Sequence, residues 1–278
     1  WRREERGGRI TLWLDCDGIG INVISEAVLR ELDALLDEAK EAQPDVLVIR
    51  SAKPGGFAAG ADIDGFADLR GEGAVEMLEQ GHAVLDKLAG LPFTTAAVVH
   101  GATLGGGFEL ALACDLRIGL DGPWKFGLPE VRAGLLPGGG GTQRLTRLLG
   151  EARALDFVLR GRIVSPAEAE RLGLLSALVP EGGDVVAAAV ALAADLAALP
   201  GLGVAHAKRL GRTALDGTLE QGLGAERTLF VDTLTDADTR AVIGRMAADS
   251  EGRIDDAALA AAAAAIDLAP QPAVSEGE

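Results

Sequence analysis

The chain has 278 residues and is 48% apolar, enough for one large domain with a sizeable core, and this excludes intrinsic disorder except at the ends. Lys plus Arg number 26 and Asp plus Glu 42, so the formal net charge is −16, which argues against a nucleic-acid or anionic-membrane partner. Two cysteines, Cys16 and Cys114, are too few for a disulfide framework or a Cys-rich zinc site and suit a reducing cytoplasm. No apolar run reaches the roughly 18 residues of a membrane helix, and the opening WRREERGG lacks the apolar segment of a secretory signal.

Ile10, Leu12, Leu14 and Cys16 alternate with Thr11, Trp13 and Asp15, which predicts a half-buried strand. Ser25 is placed to cap a helix with the stripe Val28, Leu32, Leu35, Ala39. Pro44 stops that helix, and Val46 to Ile49 reads as a strand buried on both faces. A Gly-rich loop follows from Pro54 to Gly60, then a helix carrying Val75, Leu78, Leu85 and Leu88. Thr95 to Val99 reads as another buried strand, Gly105 to Gly107 opens a helix from Phe108 to Cys114, and Leu116 to Ile118 reads as a third such strand. This rhythm predicts an α/β architecture with crossover connections.

Past about residue 140 the pattern turns helical. Helices are expected over Gly141 to Leu149, Ala152 to Leu159, from Ser165-Pro166 onward, over Asp184 to Leu199, and as one stretch over Leu219 to Met246. Residues 257 to 265 are nearly all Ala, and Pro270 to Glu278 reads as a disordered tail or the start of a linker.

The glycine clusters at 105–107 and 138–141 fit neither a dinucleotide fingerprint nor a phosphate-binding loop, and neither a G-x-S-x-G elbow nor an H-E-x-x-H helix is present. A strand ending at His100-Gly101, three glycines and then a helix presents bare backbone N–H groups, which suits a developing oxyanion. A plain tight turn explains the same glycines equally well. Glu109 is the sole acid in the apolar stretch LGGGFELALAC, where burial raises a carboxyl pKa toward the range of acid–base chemistry. Glu130 follows in FGLPE. The histidines His82, His100 and His206 read as structural or ordinary helix residues, Cys114 as core, and Lys208, Arg209 and Arg212 as solvated surface, with CoA phosphates as the alternative for that cluster.

Three segments in order, FAAGADI (57–63), HGATLGGGFELALACD (100–115) and FGLPEVRAGLLPGGGGTQRLTRLLG (126–150), resemble the enoyl-CoA hydratase/isomerase family, the crotonases. The resemblance covers roughly residues 8 to 250 and is strongest to the hydratase portion of bacterial multifunctional fatty-acid oxidation proteins. It implies a spiral of ββα units with a C-terminal helical region for trimerisation. The corresponding organisation is a core with the acyl-CoA site over 8–200, a helical region over 201–268 and a tail over 269–278.

The resemblance implies an acyl-CoA thioester as substrate, its carbonyl oxygen held by the backbone N–H groups of Ala61 and Gly106. It lays Ala61, Asp62, Ile63 and Asp64 along the CoA moiety and Ala59 near the adenine. It also implies two catalytic glutamates, Glu109 to activate water and Glu130 to handle the C2 proton, with no metal and no cofactor beyond the CoA of the substrate. The expected activity is hydration of trans-2-enoyl-CoA to 3-hydroxyacyl-CoA in the cytoplasm, by a homotrimer or dimer of trimers with no nucleic-acid or membrane partner. The alternatives are Δ3-Δ2-enoyl-CoA isomerisation, which uses a single base and can also be an added activity, another crotonase-family acyl-CoA reaction, and a non-catalytic scaffold that binds RNA or protein. Thr103, where the family has a small apolar residue, and the bulky Phe108 depart from the common pattern and bear on acyl-chain specificity.

Overall fold

The computed structural model describes residues 1–18, 20–60, 71–185, 187–188, 191, 199 and 201–249. It divides into two compact units, Trp1–Ala225 and Glu226–Glu278.

In the first unit the strands β1 (Arg2–Arg6), β2 (Arg9–Leu14), β3 (Val46–Ser51), β5 (Thr94–Val99), β7 (Leu116–Leu120) and β10 (Ala177–Val179) form a six-stranded sheet in the order β1-β2-β3-β5-β7-β10. Among the described pairs of this sheet, only β1–β2 is antiparallel. The strands β4 (Gly56–Ala59), β6 (Ala102–Leu104), β8 (Lys125–Gly127) and β9 (Ile163–Val164) form a second sheet in that order. The helices of this unit are α1 (Glu26–Ala42), α2 (Gly71–Ala89), α3 (Gly106–Ala113), α4 (Gly141–Leu149), α5 (Glu151–Leu159), α6 (Pro166–Arg171) and α7 (Gly201–Thr213). The chain thus repeats one cycle: a strand in the large sheet, a strand in the small sheet, then a helix (β3-β4-α2, β5-β6-α3, β7-β8-α4).

The sequence accounts for this locally. Ser25 accepts a hydrogen bond from Val28 N, capping α1, and Leu32, Leu36 and Ala39 on one stripe are fully buried. Each such leucine contributes about 1.5–3 kcal/mol by leaving water. In β3, Leu47 and Ile49 enter the main core with α1 and α2, while Val46 and Val48 pack on the opposite face with Ala96, Val98 and Ile118. Both faces being covered explains why the strand reads as an unbroken apolar run. Ser165 caps α6 through Glu168 N with Pro166 at its first turn, as expected.

Three features differ from expectation. The charged opening forms strand β1, which makes a hairpin with β2 and presents every side chain to solvent. The small sheet has strands of two to four residues, of which β4 lies in the stretch read as a Gly-rich loop and the other three lie where no element was expected. The stretch read as one helix is two, α8 (Leu219–Thr233) and α9 (Ala237–Asp249), because Asp236 breaks the run and caps the second helix through Thr239 N. The helix expected over 184–199 is described only in part, and residues 257–265 and 270–278 lie outside the described residues.

Candidate active site

The site grows from the junction of β6 and α3. Gly105 adopts φ 54° and ψ −129°, a left-handed conformation that favours glycine, and this turns the chain sharply from strand into helix. Gly107 lies so close to β4 that a Cβ there would stand 2.3 Å from the Ala58 carbonyl oxygen. The two glycines therefore set α3 directly on the small sheet. As the first residue of α3, Gly106 has an N–H with no partner within its own helix, at the positive end of the helix dipole.

Glu109 projects from the first turn of α3 and is 3% exposed. Its Oε1 accepts from the N–H of Gly141 at 2.7 Å, and the Gly139 N–H bonds the same carboxylate. Gly141 opens α4, so this carboxylate sits at the N-termini of two helices. Burial raises its pKa above the ordinary carboxylate range, while the two N–H groups, Arg144 and His82 pull it back down.

Glu130 starts the short 3-10 turn Glu130–Ala133 that follows β8. The N–H of Gly105 donates to the Gly127 carbonyl at 2.9 Å, which draws the FGLPE segment against the three glycines. A Cβ on Gly105 would stand 3.1 Å from Glu130 Oε1. The other oxygen, Oε2, is buried and has no hydrogen-bond partner among the described residues. Burial pushes this carboxyl up to about 7, and the nearby charge of Glu109 adds to the rise. The structure thus brings Glu109 and Glu130 within electrostatic reach of each other at the start of α3.

The segment entering residue 61 is firmly held. Ala59 N donates to Asn22 O at 2.8 Å, Gly60 N to Leu104 O at 2.8 Å, and Gly60 O accepts from Ile24 N at 3.1 Å. Asn22 is fully buried: its Nδ2 donates to Leu14 O, Ser51 Oγ and Phe57 O, and its Oδ1 accepts from Cys16 N. Ala59 closes β4 next to this anchor. Ala61, Asp62, Ile63 and Asp64 lie outside the described residues.

Sequence reading missed the residues behind the 138–141 loop. His82, read as an ordinary helix residue, donates from Nε2 to the Gly138 carbonyl at 2.6 Å. Arg144 donates to the Gly139 carbonyl at 2.8 Å and to Asp86 Oδ1 at 2.6 Å. These partners are far apart in sequence, and no local pattern joins them. His100 is structural, as expected, donating from Nε2 to the Lys53 carbonyl. Cys114 is core, with burial raising its thiol to about 12.

Neither Lys208 nor Arg212 is solvated surface. Lys208 Nζ reaches Asp115 Oδ2 at 2.7 Å and the Phe93 carbonyl at 3.0 Å, and Arg212 pairs with Asp115 Oδ1 and donates to Ala113 O. Asp115 also accepts from the N–H and hydroxyl of Thr95, so α7 is latched to the core beside the end of α3. Phe108 is buried, and Thr103 carries a buried hydroxyl with no partner among the described residues.

Residues 20–250 match the family model described as enoyl-CoA hydratase/isomerase. A Mycobacterium bovis protein named as an enoyl-CoA hydratase is 40% identical over 231 residues, 82% of this chain and 86% of that protein. The alpha subunit of the fatty acid oxidation complex of Aliivibrio fischeri is 44% identical over 173 residues, 61% of this chain and 25% of that subunit. The chain therefore spans about a quarter of the length of that relative. Among solved structures, an enoyl-CoA hydratase subunit from Geobacillus kaustophilus superposes with TM-score 0.81 at 32% identity, covering 89% of this chain and 95% of that one. The enoyl-CoA hydratase from Bacillus anthracis superposes with TM-score 0.80 at 30% identity, covering 91% and 96%.

Proposed function

This chain belongs to the enoyl-CoA hydratase/isomerase family, and from that premise we propose that it adds water reversibly across the double bond of a trans-2-enoyl-CoA to give the 3-hydroxyacyl-CoA. The observation that carries this reading is the contrast between its two neighbouring carboxyls. Glu109 is held by backbone N–H groups, which favour the ionised form, whereas Glu130 has an unpartnered buried oxygen and a pKa of about 7. Burial raises both pKa values, but only at Glu109 do the Gly139 and Gly141 N–H groups, Arg144 and His82 oppose the rise, which favours Glu109 as the base and Glu130 as the acid.

In the proposed step, the N–H groups of Gly106 and Ala61 hold the thioester oxygen. Glu109 takes a proton from water as the water oxygen bonds to C3. The π pair of the C2–C3 bond moves toward the thioester oxygen as an enolate, and the proton of Glu130 is delivered to C2. A proton returned from Glu109 to Glu130 by way of solvent resets the pair. The Gly106 donor at the start of α3 acts where negative charge develops, which is where such hydrogen bonds contribute most.

A dedicated isomerase uses one base, so two carboxyls in mutual range favour hydration. A non-catalytic scaffold has no use for two neighbouring acids with raised pKa values. The same reading extends to acyl-CoA degradation in the cytoplasm and to a trimer or dimer of trimers, to which the exposed Leu223, Phe230 and Val231 of α8 and Leu234 just past its end would contribute contact. Sedimentation of the purified chain tests the assembly.

The test of the reaction is the loss of conjugated enoyl-thioester absorbance with crotonyl-CoA. Glu109→Gln and Glu130→Gln are each expected to lower kcat by about 10²–10⁴. Undiminished turnover in the double variant would remove the mechanism.

A further inference from the structure

Glu109 is held by a loop that is itself held. The N–H groups of Gly139 and Gly141 point inward to the carboxylate, while the carbonyls of Gly138 and Gly139 are taken by His82 and Arg144. His82 comes from α2 and Arg144 from α4, and Asp86, one turn beyond His82 on α2, fixes the other end of the guanidinium. The Arg144 side chain is 17% exposed and that of Asp86 is 72% exposed, so the brace runs from the surface of α2 to the loop. A run of four glycines has little conformational preference of its own, so its N–H groups aim at one point only if its carbonyls are fixed.

We propose that Arg144, anchored by Asp86, together with His82, are positioning residues for hydration: by gripping the carbonyls of the 138–141 loop they keep its N–H groups aimed at Glu109. This rests on the assignment of Glu109 as the base. Among the described residues, the charges facing Glu109 are Arg144 from α4, His82 from α2 and Glu130 from the 3-10 turn. Arg144 and His82 lower the pKa of Glu109, opposing the effect of burial. Removing Arg144 therefore loosens the loop and shifts the ionisation of Glu109 upward together.

The experiment is the pH profile of kcat/KM with crotonyl-CoA for the wild type and for Arg144→Gln, Arg144→Lys, His82→Ala, His82→Gln, Arg147→Gln and Glu109→Gln. Arg147 lies on the same helix but pairs with Asp216, so Arg147→Gln is a matched loss of charge outside the brace and should follow the wild-type profile. Arg144→Gln should move the acid limb to higher pH by about half a unit or more, because one pH unit corresponds to only 1.36 kcal/mol of lost interaction. It should also lower kcat at least about 10-fold. Arg144→Lys keeps the charge without the two-pronged grip, so its limb should return toward wild type while kcat stays low.

His82→Ala should lower kcat by about 5-fold with KM little changed, and His82→Gln, which retains a donor for the Gly138 carbonyl, should recover most of it. This pair carries the test if Arg144→Gln fails to fold. If Glu109→Gln keeps its activity, the assignment of the base is wrong. If Glu109→Gln is inactive while Arg144→Gln and His82→Ala both follow the wild type, the brace alone is overturned.

Discussion

Gly141 donates its backbone N–H to Glu109 Oε1 at 2.7 Å, joining the first residue of one helix to the first turn of another across 32 positions of sequence. The approach needs a residue without a side chain: a Cβ on Gly141 would stand 2.8 Å from Oε1, and one on Gly139 would stand 2.9 Å from Oε2. Gly141→Ala must therefore push the carboxylate aside. We expect kcat for enoyl-CoA hydration to fall by about 10² with a small change in KM, because misplacing a reacting group by about 1 Å can cost that much. Steady-state kinetics on a folded variant check this.

Glu130 makes stability depend on pH in a definite direction. Its carboxyl titrates near the ordinary 4.5 when unfolded and at about 7 when folded. Between those values the native state holds the extra proton, so its stabilising share is complete below 4.5 and is lost as pH rises through about 7. Glu130→Gln removes the ionisable group. The melting temperature of the variant should exceed that of the wild type at about pH 8, and the gap should close on acidification to about pH 4. A gap that widens toward acid would contradict the assignment.

The latch at Asp115 predicts a stability effect separate from catalysis. Lys208 is 11% exposed and Asp115 18%, so removing the carboxylate strands a nearly buried ammonium. Asp115→Ala should cost about 3–5 kcal/mol in urea unfolding. The double variant Asp115→Ala/Lys208→Met should recover part of that loss, since an apolar replacement of both partners avoids the stranded charge.

Asn22 offers a shape-conserving test. All its amide bonds are internal: three acceptors face Nδ2 and one donor faces Oδ1. Asn22→Asp preserves the outline but turns the carbonyls of Leu14 and Phe57 against an oxygen. We expect Asn22→Asp to be at least as destabilising as Asn22→Ala, each by about 2–4 kcal/mol, because unmet buried polar groups cost about 1–3 kcal/mol apiece. Chemical denaturation of the two variants compares them directly.

Much of the scaffold was legible where burial imposes a period. The two-sided apolar run of β3, the stripe of α1 and the Ser25 and Ser165 caps all announce themselves locally. The strand β1 did not, because at a sheet edge with every side chain in water no alternation is imposed. The small sheet escaped because two to four residues cannot show a period. At the site, Glu109 and the three glycines stood out as an acid in an apolar run beside a sharp turn. The roles of His82, Asp86 and Arg144 did not, since a bond from α2 to a loop 56 residues on leaves no trace in either segment. Lys208 and Arg212 looked like surface for the same reason: their acceptor, Asp115, is more than 90 positions away.

The three consecutive glycines at the head of α3 are alike in letter and unlike in tolerance. Position 105 is fixed by its backbone angles and position 107 by the strand beneath it, but a methyl group at 106 would meet Ile24 at only 3.4 Å, an ordinary contact. A library randomised across the triplet and selected for function should thus return glycine at both flanks and admit alanine in the middle. The backbone donor assigned to that middle position would survive the change, so the chemistry there is insured against drift in a way that the architecture on either side is not.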